Sequence, residues 1–313
     1  MGTHYSITVV DPEERIDDAV LQQQVEQRLE EVNQTFSTYL EDSELNRFNR
    51  SAIDRWQPVS EDLYTVLLAA TEAAWLSEGA FDATIGPLVR LWGFGPDGPR
   101  EQAPAERELQ QALARVGYQH LELDMAELRA RRRADIELDL SGIAKGHGVD
   151  ALAQLLAEQG IGNFLVEIGG ELAAAGHNPR GQPWRIAVER PVGADERGVQ
   201  PLQALRITGV GLATSGDYRN YFEQEGEHYS HTIDPGTGRP VKHRLTSVSV
   251  VADTAMWADA LATAMMAMGP EKAMDLAEQL GVGVFLVLRG ETGDRFEVRY
   301  NAALEPYLDT EGP

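Results

Sequence analysis

The sequence contains no cysteine, which excludes disulfides, thiolate metal ligands and cysteine nucleophiles and leaves the redox compartment open. It is also poor in positive charge: 27 Lys and Arg stand against 50 Asp and Glu, for a formal charge of −23. A nucleic-acid surface needs a basic stripe, so nucleic acid is excluded as a partner. The basic run Arg129–Arg133 is too short and too isolated for a binding patch and reads as a solvated edge. No apolar run approaches the ~18 residues that mark a membrane span, and no internal repeat, low-complexity tract or proline-rich linker interrupts the chain. What remains is 313 residues, 42% of them hydrophobic, enough to bury a large core in one large domain or two smaller ones. The acidic balance carries a further consequence. An anionic ligand is repelled unless local lysines or a divalent cation reverse the field at its site.

Against this background the stretch Asp139–Asp150 stands out. Ile136, Leu138 and Leu140 alternate with polar residues, the period of a half-buried strand, while Val149, Leu152, Leu155 and Leu156 recur at helical spacing. A loop with Gly142, Gly146 and Gly148 therefore opens a helix, where unpaired N–H groups and Lys145 favour an anion. The pattern matches neither the Walker A nor the dinucleotide fingerprint. Two readings stay open: a phosphate or pyrophosphate site, and a glycine-rich turn with a solvated lysine.

Along the chain, residues 1–10 alternate as a core strand, and 17–36 carry Val20, Val25, Leu29 and Val32 at helical spacing. Ser43 caps a short helix, and a further helix runs over 61–78. Phe81, Trp92 and Phe94 sit among turn residues and read as core plugs in preference to ring-stacking platforms. Residues 98–133 read as a solvent-facing insertion with a charged helix at 105–116. Strands follow at 163–168, 184–189, 202–208 and 211–214, with Gly169-Gly170 and Ser215-Gly216 as tight turns. Strands with only occasional helices indicate an α+β fold. Near the end, Asp253 is the expected N-cap of a helix over 254–268. On it Asp259 and Thr263, four apart, share one face and offer hard oxygen ligands among apolar neighbours. A carboxylate so surrounded wants a cation or a donor.

Met1-Gly2-Thr3, Ser37-Thr38-Tyr39 with Asp42 to Leu45, Ala80 to Leu88, Asp139 to Asp150, Gly169-Gly170-Glu171, Thr214 to Tyr218, His231 to Pro235 with Thr237-Gly238, and Ala258 to Thr263 together resemble the ordered motif series of the FAD:protein FMN transferases, the ApbE family. The resemblance implies a single catalytic domain over 1–313. It would be an α+β fold of two lobes with mixed or antiparallel sheets flanked by helices, and FAD would lie between the lobes. It implies transfer of FMN from FAD to a threonine hydroxyl of a partner flavoprotein, for example a subunit of a membrane redox complex, with AMP released. Mg²⁺ would be held by Asp259, Thr263 and the backbone carbonyl of Gly142. Met1, Tyr39, Ala80, Phe81, Asp82, Asp139, Lys145 and Ile233 would line the FAD site, and Lys145, Asp259 and His231 would serve catalysis.

His231 stands two residues before Ile233, so on one extended strand both side chains share a face. Histidine is also the side chain best matched to act as a base near neutral pH. The alternative is that His231 hydrogen-bonds the turn at Asp234. By resemblance an aromatic at Tyr39 goes with transfer in preference to hydrolysis. Two other functions remain as alternatives, an FAD pyrophosphatase and a non-catalytic FAD carrier. The chain opens on the first motif with neither a signal peptide nor a lipid-accepting cysteine. The resemblance implies a periplasmic location for a trimmed form, at or near the outer face of the inner membrane, with a cytoplasmic member as the alternative.

Overall fold

The computed structural model describes residues 2–10, 17–100, 102–191, 201–216, 221–224, 227–290 and 295–310. Met1, Asp217 and Tyr218, singled out above, lie outside these. The helices are α1 Asp18–Phe36, α2 Glu44–Asn49, α3 Glu61–Leu76, α4 Gly86–Leu91, α5 Glu106–Leu113, α6 Ala144–Glu158, α7 Ala255–Met268 and α8 Pro270–Leu280. Among the described residues no helix is long and apolar enough to cross a membrane. The chain divides into two compact units. The first takes Met1–Glu30, Lys145–Arg219 and Arg244–Pro313, the second Glu31–Ala144 and Asn220–His243.

The first unit is built on a seven-stranded sheet in the order Tyr5–Val9, Phe164–Ile168, Glu171–Ala175, Val210–Gly216, Leu245–Ala252, Gly283–Arg289, Phe296–Tyr300. Every neighbouring pair is antiparallel. Leu245–Ala252 is buried along its whole length, as expected of a strand covered on both faces. Val248 and Val250 pack with Ala258, Leu261 and Met265 of α7 and Ala273, Leu276 and Ala277 of α8. Val251, with Phe285 and Val287, faces the opposite way onto the hairpin Trp184–Glu189/Pro201–Ile207 through Trp184, Val188, Leu205 and Ile207. Val149, Leu152 and Leu156 of α6 join Val25 of α1 over Val166 and Ile168. The opening strand is an edge strand and not a core one: among the described residues it pairs only with Phe164–Ile168, and Tyr5 is exposed. Ser215 and Gly216, expected in a tight turn, continue the strand Val210–Gly216, held by pairing to Val248 and Ser247. The cap of α7 is Thr254, whose hydroxyl accepts from the Trp257 N–H, one residue later than the expected Asp253.

In the second unit Ser43 caps α2 as expected, its Oγ accepting from the Asn46 N–H. Segment 98–133 is more than a solvent-facing insertion. Leu109 and Ala112 of α5 pack with Leu88, Trp92 and Ile233, and Leu121 and Ala130 are buried. Trp92 is core as expected, and its Nε1 donates to the Gly238 carbonyl at 2.8 Å. The basic run belongs to a small sheet of Gln57–Pro58, Arg129–Arg132 and Leu121–Asp124. Its charges are matched by Asp124 and Glu122, and Arg132 is buried, donating to the carbonyls of Ile136 and Ser51. A guanidinium carries five fixed donors, so it binds backbone carbonyls as readily as it faces water.

Ile136, Leu138 and Leu140 are buried as expected, but Asp139 between them is buried too, and residues 136–140 form no strand beyond a single bridge from Glu137 to Ile85. The Asn49 amide stands in for a partner strand. Its Oδ1 accepts from the Leu138 N–H at 2.8 Å and its Nδ2 donates to the Leu138 carbonyl at 2.9 Å.

Candidate functional site

In the first unit the site begins with the way α6 meets α7. Asp150 of α6 accepts from the Ala255 and Met256 N–H groups at 2.8 Å each, supplying orphan donors at the start of α7 with a carboxylate. Gly146 is glycine for the same junction: a Cβ there would stand 2.3 Å from the Ala255 carbonyl oxygen and 2.7 Å from the Met256 Cα. It lies inside α6 and not in a loop opening to a ligand, which corrects the reading of the motif. Its N–H donates to Asp259 Oδ2 at 3.0 Å, tying the first turn of α6 to the second turn of α7.

Lys145 completes the cluster. Its Nζ lies 3.2 Å from Glu171 Oε1 and 3.5 Å from Asp259 Oδ1, and both carboxylates are buried while the lysine side chain is about one-third exposed. Burial works against the ammonium, but Asp259 and then Glu171 outweigh it, holding the Lys145 pKa above its ordinary value. Glu171 is pushed up to about 8, first by burial and then by the neighbouring Asp259 charge, with Lys145 pulling the other way. Its Oε2 has no hydrogen-bond partner among the described residues. One helical turn beyond Asp259, Thr263 places its Oγ1 3.3 Å from Ser215 Oγ.

The donor chemistry fits a hard divalent cation. Asp259 and Thr263 present oxygen from one helical face, and Glu171 shares the Lys145 ammonium with Asp259. Among the described residues no group of three His, Cys, Asp or Glu is disposed to hold an ion, so a cation here would take few side-chain ligands. That is the habit of Mg²⁺, which keeps waters and substrate phosphates in its shell.

The other expected residues fall in the second unit. Asp139 is buried, its Oδ1 accepting from the Ser141 N–H at 2.9 Å and its own N–H donating to the Ala83 carbonyl. Gly142 occupies the turn that follows. Phe81 and Asp82 are buried and Ala80 is half-buried. Asp82 Oδ1 accepts from the Thr84 N–H and hydroxyl and Oδ2 from the Tyr118 N–H, while Thr84 Oγ1 in turn accepts from the Gly117 N–H. Burial raises the Asp82 pKa, and the bonds from Thr84 and Tyr118 work against that rise.

Tyr39 is 71% exposed, on a loop fixed by Ser37 Oγ, which accepts from the Tyr39 and Leu40 N–H groups, and by the Asn46 amide on the Thr38 and Leu40 carbonyls. Ile233 is buried with Leu88 and Trp92. His231 does not share one continuous strand with it. The strand Glu227–Ser230 ends before His231, and Ile233–Asp234 begins a separate hairpin with Arg239–Pro240, so the same-face argument does not hold. His231 is half-buried with its ring edge-on to Phe94, 6.4 Å between centroids. Asp234 is engaged by its own turn, accepting from the Gly236 N–H and the Thr237 hydroxyl at 2.9 Å each.

Sequence reasoning brought Lys145, Asp259 and Thr263 forward and passed over Glu171 and Asp150 as members of the site. Glu171 had a local signal: it opens Glu-Leu-Ala-Ala-Ala, an otherwise apolar and buried strand.

Comparison with known proteins agrees over almost the whole chain. The ApbE family profile matches residues 1–286. A FAD:protein FMN transferase of Vibrio cholerae is 44% identical over 308 residues, covering 98% of this chain and 90% of the relative. One of Haemophilus influenzae is 38% identical over 315 residues, covering 99% and 90%. The solved flavin transferase ApbE from Vibrio cholerae superposes with a TM-score of 0.90 at 41% identity, covering 98% of this chain and 96% of that one. With the family profile spanning most of its length and relatives this similar covering nearly all of it, the chain belongs to the ApbE family.

Proposed function

We propose that this protein transfers FMN from FAD to a threonine hydroxyl of a partner protein, with release of AMP. The observation that carries the reading is the arrangement of Lys145 and Thr263 about the buried Asp259 at the α6–α7 junction, which offers cation-binding oxygens and an ammonium in a chain of net charge −23. Asp259 and Thr263 would hold Mg²⁺; when bound it offsets charge on the pyrophosphate oxygens. Lys145 adds a fixed positive charge toward the same phosphates. Tyr39, on its braced loop, is exposed and available to cover a flat ring.

In the reaction the acceptor oxygen bonds to the FMN-side phosphorus, the bond from that phosphorus to the bridging oxygen breaks, and AMP leaves with that oxygen. His231 would take the hydroxyl proton. Asp234, the other candidate base, already accepts two bonds within its turn. The same reading carries a periplasmic location with it, and a chain without cysteine is compatible with that compartment.

The test is incubation with FAD, Mg²⁺ and a protein or peptide bearing a candidate threonine, followed by mass spectrometry. The expected result is an acceptor heavier by one FMN together with one AMP. AMP formed at the same rate without acceptor indicates a pyrophosphatase, and intact FAD indicates a carrier. His231→Ala is expected to slow transfer by about 10²–10⁴-fold, the usual contribution of a general base, with FAD affinity little changed. A variant with the wild-type rate and pH profile places the base elsewhere.

A further inference from the structure

Lys145 and the proposed cation make competing demands on Asp259. With a single carboxylate between them, an ammonium 3.5 Å from Asp259 Oδ1 neutralises that group and discourages a second positive charge from binding beside it. The structure holds a second carboxylate at the same spot. Glu171 comes from the sheet, not from either helix, and its Oε1 is the nearer partner of Lys145, at 3.2 Å. It is 3% exposed, and its Oε2 is left without a hydrogen-bond partner among the described residues. Buried carboxylate oxygens are normally satisfied, so an orphan needs an explanation. Asp259 meanwhile has its Oδ2 on the Gly146 N–H and keeps acceptor capacity, since an ionised carboxylate has about four lone-pair positions.

We propose that Glu171 is a positioning residue for the cation site: by holding the Lys145 ammonium it keeps Asp259 available to a divalent cation, so that the lysine and the ion act side by side on the phosphates. The inference rests on the proposed cation site at Asp259 and Thr263. A buried carboxylate whose only task was to hold the fold would have both oxygens engaged, as Asp82 has.

The experiment is a Mg²⁺ titration of wild type, Glu171→Gln and Glu171→Asp, read by calorimetry and by the Mg²⁺-induced rise in melting temperature, both with FAD present, and by the Mg²⁺ dependence of FMN transfer. Glutamine keeps the size and an acceptor for Lys145 but cannot ionise, so the titrations are run at pH 8.5, above the value of about 8 at which Glu171 loses its proton. Glu171→Gln is expected to weaken Mg²⁺ binding at least about tenfold, roughly 1.4 kcal/mol, with its melting temperature in chelator no lower than that of the wild type. Glu171→Asp should restore part of the affinity. If wild type binds Mg²⁺ and Glu171→Gln binds it equally well, the positioning role is overturned and the cation site stands. A Glu171→Gln variant that melts much lower in chelator, with Mg²⁺ affinity unchanged, shows a merely structural carboxylate and overturns it too. Wild type that binds no Mg²⁺ in the presence of FAD overturns the cation site and this inference together.

Discussion

Asp82 and Glu171 are both buried, 7% and 3% exposed, and burial raises the pKa of each, yet they are built differently. Around Asp82 both oxygens accept from polar groups of the second unit: Thr84 two residues on, and the Tyr118 N–H 36 residues on. Around Glu171 in the first unit stands one lysine, shared with Asp259, and one oxygen is unmatched. A carboxylate with both oxygens engaged by N–H and O–H groups braces the fold, because removing one partner leaves the other unsatisfied. A buried carboxylate pair that shares one lysine and keeps an unmatched oxygen is poised for something outside the chain, since such a group gains stability when a cation or donor arrives.

The comparison is most easily broken by removing the carboxylates. Asp259→Ala is expected to abolish both FMN transfer and AMP release while the protein still folds, because the substitution removes a charged ligand from a site with few of them. Turnover near the wild-type level in chelator-treated buffer with stoichiometric Mg²⁺ would make Asp259 no ligand. Asp82→Asn should do the opposite. Its amide oxygen can still accept from Thr84, but its NH₂ then confronts the Tyr118 N–H, for a loss of about 1–3 kcal/mol in urea unfolding. Activity per folded molecule should fall far less than in Asp259→Ala. Loss of FAD affinity at unchanged stability would show Asp82 to be a ligand-binding carboxylate, and the distinction between the two sites would fail.

Gly146→Ala probes the frame that places Asp259 and Lys145. The added methyl would meet backbone atoms of Ala255 and Met256, not the end of a flexible side chain, so the helices must part. Overpacking of this kind costs typically about 1–3 kcal/mol. Thermal unfolding should show the loss, and Mg²⁺ binding should weaken with it as the Gly146 N–H moves off Asp259. An unaffected melting temperature would mean that α7 yields freely at its start.

These features were unequally legible in the sequence. Local chemistry was readable: Ser43 as a cap, the helix 254–268, and Asp259 with Thr263 on one of its faces all follow from spacing within a few residues. The partners of Asp259 were not, because Glu171 and Gly146 reach it from 88 and 113 residues away, and no local period encodes such a meeting. Gly146 was legible as a glycine needing close approach, but the approaching group is the backbone of α7. Ile136, Leu138 and Leu140 carried the apolar spacing of a strand without its hydrogen bonds, two of which Asn49 supplies from α2. The strand-like run through His231 misled because the breaks on either side involve no proline or glycine until Pro235.

The finest test of the comparison is pH. Glu171 stands near 8 in the folded protein against an ordinary value of 4.5, so the folded state holds that proton more tightly than the unfolded chain does. Its contribution is therefore fully present below about pH 4.5, declines as pH rises toward 8 and levels off beyond. The slope is at most about 1.4 kcal/mol per pH unit within that window. Glutamine does not titrate, so in chelator the stability of Glu171→Gln relative to wild type should rise between pH 5 and pH 8. The value near 8 already contains the attraction of Lys145, so that attraction is not counted a second time. Asp82→Asn, by contrast, should remain less stable than wild type at neutral pH, because its amide NH₂ and the Tyr118 N–H are then two donors facing each other in a buried site. Urea melts of the three proteins at pH 5, 6.5 and 8 give the comparison directly. Parallel curves for wild type and Glu171→Gln would mean that Glu171 is ionised throughout and that Lys145 already satisfies it.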